Sequence, residues 1–356
     1  MRQPLPDLLK GIAIFMVVMG HVLTMCIRGI DSAALFKIIG EVHMPLFFFI
    51  SGYLGFRRLP AGTVSRPPLG RRALRLLLPM LAVSTLWIYY FPVSGIESPL
   101  PQGWDGLWGD MWKNGYWFTL VLFEILIVYR GASFVLDKVR GIALQAAIML
   151  AIWLVLSQAL RLLPEQWVAA SSLELTVRFF PVFIAGALAA DHREAFARFV
   201  AKSTVQTVCL PLAFILVYYV GWYWRFPAIP AWCLEPARPL LHIVLSVIAF
   251  GCLSPWAACN SLAVRIWCFL GRKSLAIYLL HYFFLFPLGC IRPALEAMSL
   301  SFVPLLAVPA SVPARGLAVV LAADYLISFS APLSALLTGS NAAKNRNNAI
   351  TDSVRP

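Results

Sequence analysis

The feature that most restricts this chain is the recurrence of apolar runs long enough to cross a bilayer. They fall at about 8–27, 36–56, 76–93, 115–136, 142–160, 175–190, 204–223, 240–259, 273–291 and 316–337. A hydrocarbon core of ~30 Å takes about 20 helical residues to span. Inside it, backbone polar groups are satisfied only within helices or closed barrels. The composition agrees: 60% of the 356 residues are AVILMFWYC and 13% are charged, against ~25% charged in soluble domains. A soluble globule cannot bury so much apolar surface, and disordered chains show the opposite bias. The predicted fold is an all-α integral membrane protein of about ten transmembrane helices. A membrane domain over 1–337 is followed by a disordered cytoplasmic tail over 338–356. The Pro-rich stretch 292–315 is ambiguous, with room for a partial or re-entrant segment.

Orientation follows from the basic residues. With the N-terminus inside, alternate loops place nineteen Lys and Arg on the cytoplasmic side and eight outside. This is the asymmetry of the positive-inside rule, and it predicts both termini in the cytoplasm. A net charge of +13 would suggest a nucleic-acid partner for a soluble protein. Spread over membrane loops it implies none. The first run carries His21 and an apolar core longer than the ~7–15 residues of a signal peptide, so a retained span is expected. Seven cysteines lie mostly in or beside apolar runs without a CxxC pair, so neither a disulfide framework nor a metal site is expected.

Ionisable groups in such runs are costly, roughly 2.5–3.5 kcal/mol at mid-bilayer, which makes each a site candidate. Here they are Lys10, His21, Glu41, His43, Glu124, Arg178, His281 and Asp324. Pairing between helices, such as Glu124 or Asp324 with Arg178, is the competing explanation. Lys10 and His21 are eleven residues apart, close to three turns, so they share a helix face, with His21 ~16 Å deeper. A neutral imidazole there suits a general base near pH 7, although a packed, hydrogen-bonded histidine fits the same position.

Three further blocks carry candidates. Pro45 removes a helical donor, so a local break is expected around His43, with Glu41 on the opposite side of the helix. Arg72 and Arg75 share a face at the cytoplasmic start of the third run. They fit either forked recognition of a phosphorylated ligand or anchoring to anionic headgroups. In Gly271–His281, Ser274 is read as a possible helix cap, and Tyr278 and His281 share a face.

Together these blocks resemble the membrane-bound acyltransferase-3 family, bacterial acyltransferases that O-acetylate glycans. Lys10 to His21 is similar to the family's basic-x10-His pattern, with Lys where many members have Arg, and Arg72 and Arg75 to its Arg-x-x-Arg. His43-Met44-Pro45-Leu46-Phe47-Phe48 through Ser51-Gly52-Tyr53 resembles the second-span signature. Asn114-Gly115-Tyr116-Trp117-Phe118 and Gly271 to His281 resemble two later ones. The first two blocks look most like the branch of fucose O-acetylases. The chain beyond Ile291 diverges from the family.

The resemblance implies an O-acyltransferase of the bacterial plasma membrane. Such an enzyme moves an acetyl or other acyl group from cytosolic acyl-CoA to a hydroxyl of a cell-envelope glycan or lipid-linked sugar. Acyl-CoA phosphates would lie near Lys10, Arg72 and Arg75. His21 would be the base, His43 and His281 the other catalytic candidates. His281, Tyr278 or a backbone N–H near Pro45 would face the oxyanion, and a transient acyl-histidine is a variant. No extracytoplasmic transferase domain is fused, so the membrane domain or a partner would complete the transfer. The alternative is a transporter or flippase for a lipid-linked envelope precursor, which Arg178 and Lys10 could serve; the internal repeats common in transporters are not evident.

Overall fold

The computed structural model describes residues 4–26, 34–55, 68–94, 112–136, 138–139, 141–202, 237–259, 261–285, 321 and 336–337. The regular structure among them is helical: α1 (Pro4–Cys26), α2 (Ala34–Gly55), α3 (Leu69–Ser94), α4 (Trp112–Leu136), α5 (Ile142–Leu162), α6 (Glu165–Ser171), α7 (Leu173–Asp191), α8 (Arg193–Ala201), α9 (Ala237–Ala257), α10 (Leu262–Arg272) and α11 (Ser274–Leu285). Eight of the ten expected spans coincide with α1–α5, α7, α9 and α11. The expected spans 204–223 and 316–337 (the latter save residues 321, 336 and 337), the segment 292–315 and the tail 338–356 lie outside the described residues.

Among the described residues, five helical stretches are long and apolar enough to cross a membrane: Pro4–Thr24, Gly115–Leu136, Ile142–Leu162, Leu173–Asp191 and Arg238–Ala257. Along α5, Leu144, Leu150, Leu154 and Val155 are about half exposed or more. Such a face is costly in water but at home in lipid tails.

The described residues divide into two compact units, one within 1–20, 29–67 and 124–272, the other within 21–28, 68–123 and 273–356. In the first unit, glycines set two close helix crossings. A Cβ at Gly52 of α2 would overlap the Phe183 carbonyl of α7, and one at Gly186 of α7 would overlap the Phe49 carbonyl of α2. The same reciprocity joins α1 to α10: Gly11 lies against the Trp267 carbonyl and Gly271 against that of Asp7. Small residues let backbones approach where apolar lipid supplies little drive for association. Leu8, Ala257, Val264 and Cys268 fill the core beside the second crossing.

The break expected at His43 is not there. Helix α2 runs unbroken through Pro45. One missing donor is a small loss beside the packing of the buried run Met44–Ile50. In the second unit, α11 packs against α3. Ser274 is the first residue of α11 rather than its cap, and the first turn closes through Ile277 N–H to the Lys273 carbonyl at 3.0 Å.

Candidate active site

In the second unit, the last turns of α1 bring His21 to α11. The Nε2 of His21 and the hydroxyl of Tyr282 are 3.0 Å apart, and their rings lie 4.8 Å centre to centre. His281 stands beside them, 5.2 Å from the His21 ring and 1% exposed. Its Nδ1 is 2.7 Å from the Tyr278 carbonyl and 3.2 Å from that of Ile277. Carbonyls only accept, so Nδ1–H donates, and the neutral ring carries its lone pair on Nε2. That Nε2 is buried without a hydrogen-bond partner among the described residues. Neutral His281 therefore offers a proton acceptor to the site, and only its protonated form can donate toward an oxyanion.

Two tyrosines fasten this arrangement. Tyr116, in the first turns of α4, donates to the Leu279 carbonyl at 3.0 Å, while Tyr278 of α11 donates to the Gly115 carbonyl at 2.9 Å. Tyr278 also accepts the Phe118 N–H at 3.2 Å. Its hydrogen is thus committed to the backbone, which removes it from the oxyanion donors considered from sequence. A Cβ at Gly115 would lie 2.9 Å from the Tyr282 ring, so glycine there makes room for the phenol that meets His21. The aromatic block at 115–118 and the Tyr278–His281 block hold each other in register.

The other sequence candidates are placed as follows. Arg72 and Arg75 sit in the first two turns of α3, in the second unit, with Arg72 half-buried and Arg75 exposed. Exposed guanidinium groups at a helix start can meet phosphate. Lys10, in the first unit, is paired with Asp7 one turn earlier on α1 at 3.0 Å. His43, also in the first unit, turns its Nδ1 back to the Ile39 carbonyl of its own helix.

Glu41 points instead to α9, meeting Arg238 at 2.6 Å and His242 at 2.6 Å. The pairing expected between Glu124 and Arg178 does not form. Glu124 accepts from the Thr176 hydroxyl at 2.5 Å, and Arg178 pairs with Glu174 at 2.8 Å on its own helix. Asp324 lies outside the described residues. Sequence reasoning passed over Tyr282, Asp7, Arg238 and His242. The four-residue spacing of Arg238 and His242 on one helix face was the available signal for the last two.

These features define a multi-pass membrane protein with two neighbouring histidines, His21 half-buried and His281 buried. The sequence model of the acyltransferase-3 family, described as an acyltransferase domain, matches residues 5–322, and the chain belongs to this family of membrane acyltransferases. It is similar to nodulation protein NolL of Mesorhizobium japonicum, 28% identical over 267 residues, which cover 70% of this chain and 55% of that protein. NolL of Sinorhizobium fredii is 38% identical over 145 residues, 37% of this chain and 35% of that protein. The chain thus spans about half the length, or less, of the curated relatives it matches. No solved structure matches it.

Proposed function

We propose that the chain moves an acyl group, an acetyl group in the simplest case, from cytosolic acyl-CoA to a hydroxyl of a cell-envelope or exported glycan. The observation that carries this function is the His21–Tyr282 contact beside the buried lone pair of His281, in a chain of the acyltransferase-3 family. As the hydroxyl oxygen attacks the thioester carbonyl carbon, a C–O bond forms and the C–S bond breaks. The hydroxyl proton leaves to a base, and the CoA sulfur takes up a proton. One histidine can do both, as base and then as acid. When Nε2–H of His21 donates to the Tyr282 oxygen, Nδ1 presents the lone pair; Tyr282 then positions the base as a buried carboxylate does in hydrolase triads.

Arg72, Arg75 and Lys10 are assigned to the donor phosphates. Arg72 and Arg75 share a face of α3, one turn apart, which suits a polyanion. The charge asymmetry of the loops supports ten spans with both termini in the cytoplasm, in a bacterial inner membrane. The test compares membranes from cells with and without this gene, supplied with 14C-acetyl-CoA. Label should enter the glycan fraction only when the protein is present, and mild alkali should release it, as expected of O-esters. Equal labelling of the two membranes would refute the function.

A further inference from the structure

The first unit builds a second imidazole site that the chemistry above does not use. Glu41, seven residues into α2, faces two residues one turn apart on α9. Arg238 grips both carboxylate oxygens, Nη2 to Oε1 at 2.6 Å and Nε to Oε2 at 3.4 Å. The Nε2 of His242 lies 2.6 Å from Oε2. A carboxylate forked by arginine has only lone pairs to offer, so the imidazole donates Nε2–H. The neutral ring then carries its lone pair on Nδ1. That atom is buried, on a side chain 3% exposed, with no hydrogen-bond partner among the described residues.

The ring is not free to choose another orientation. Phe179 of α7 stacks on it at 5.7 Å and 18°, and Phe48 of α2 stacks on Phe179 at 4.6 Å and 15°. Leu241 and Leu245 of α9 pack with Val42 of α2. Turning the ring to satisfy Nδ1 would break the bond to Glu41. A buried acceptor left without a donor is costly, and an apolar side chain would fill the same stack without that cost. Packing alone does not account for the nitrogen, and a ligand hydroxyl would satisfy it.

Charge and position narrow the visitor. The Arg238 guanidinium is already engaged by Glu41, which weakens its draw on a phosphate or carboxylate. The site suits an uncharged hydrogen-bonding group such as a hydroxyl. In the ten-span topology, α2 and α9 both start at the extracytoplasmic face. Glu41 and His242 then lie roughly 10 and 8 Å below their helix starts, at ~1.5 Å per residue, with Arg238 in the first turn and about a third exposed. That is the face at which an exported glycan presents its hydroxyls.

We propose that Nδ1 of His242, oriented by Glu41 and Arg238, is an extracytoplasmic binding site for a hydroxyl of the glycan acceptor. The site rests on the acyltransferase function and its topology. The acceptor hydroxyl hydrogen-bonds to Nδ1, and no covalent bond is made or broken there. Its test uses full-length protein, 14C-acetyl-CoA, and the glycan fraction extracted from cells lacking the gene as the titrated acceptor. His242→Phe keeps a ring on Phe179 and removes both nitrogens. It should raise the acceptor KM about tenfold, the loss of one buried hydrogen bond, and leave the acetyl-CoA KM unchanged.

His242→Gln, which keeps a donor for Glu41, should lie between the two and is read in the same way if the Phe variant does not accumulate in membranes. An unchanged acceptor KM, or a fall in kcat alone, would mark His242 as a strut between α2 and α9 and overturn the proposal. Failure of the unsubstituted protein to transfer label is a different result, and overturns the acyltransferase function itself.

Discussion

The two units each hold a histidine whose second nitrogen is buried and unpartnered among the described residues, and they prepare it differently. In the second unit His281 donates to carbonyls of its own helix, and its neighbours are Tyr282 and His21. In the first unit His242 donates to a carboxylate that an arginine also holds, 197 and 201 residues away in sequence. A histidine bonded to carbonyls gains a fixed tautomer and little else. One bonded to a carboxylate is held in place by a charged partner on another helix. The first kind lines a site where a neighbouring histidine moves a proton; the second suits a rigidly held hydrogen-bonding group.

Five substitutions would sharpen or break that contrast. The largest effect belongs to His21→Ala, which should lower the turnover of acetyl transfer by roughly 10²–10⁴ while acetyl-CoA affinity changes little. Tyr282→Phe leaves His21 in place and removes its partner. It should lower turnover by about tenfold to a hundredfold, with no rise in the acceptor KM; a rise there would make the phenol a substrate ligand instead. Tyr278→Phe removes the donor to the Gly115 carbonyl. It should cost about 1–3 kcal/mol of stability, read as a lower thermal midpoint in detergent, with turnover below that midpoint largely kept. Smallest is Arg75→Ala, an exposed charge expected to contribute ~0.2–1 kcal/mol to donor binding. It should raise the acetyl-CoA KM a few-fold without affecting membrane abundance. An unchanged KM for this variant and for Arg72→Ala would favour anchoring to lipid headgroups.

Much of the helical layout was legible in the sequence because lipid demands runs of about 20 apolar residues, and such runs are conspicuous at α1, α5, α7 and α9. The short helices α6, α8 and α10 were not, since 7 to 11 residues carry no comparable signal. Pro45 misled because tertiary packing of α2 outweighs one lost backbone bond. Gly52 and Gly271 stood out as parts of motifs, but their purpose depends on the Phe183 and Asp7 carbonyls, which only the fold brings near.

At the candidate site, His21 and His281 were found from depth and helix phase. Tyr282 was not, because a tyrosine beside a histidine in an apolar run has the same signature as core packing. Tyr116 and Tyr278 were read as a motif and a helix face, and only their reciprocal bonds to backbone carbonyls give them work. His242 was invisible for a different reason: its meaning lies in Glu41, on another helix.

The most direct test sets His21→Ala and His242→Phe side by side in steady-state acetyl transfer, with both proteins at matched membrane abundance. Chemistry at the first histidine and acceptor binding at the second predict separate signatures. kcat should collapse in His21→Ala with acetyl-CoA affinity kept, and the acceptor KM should rise in His242→Phe with kcat kept. Near-normal kcat in His21→Ala, or a kcat collapse in His242→Phe with its acceptor KM unchanged, would contradict the division of labour between the two sites.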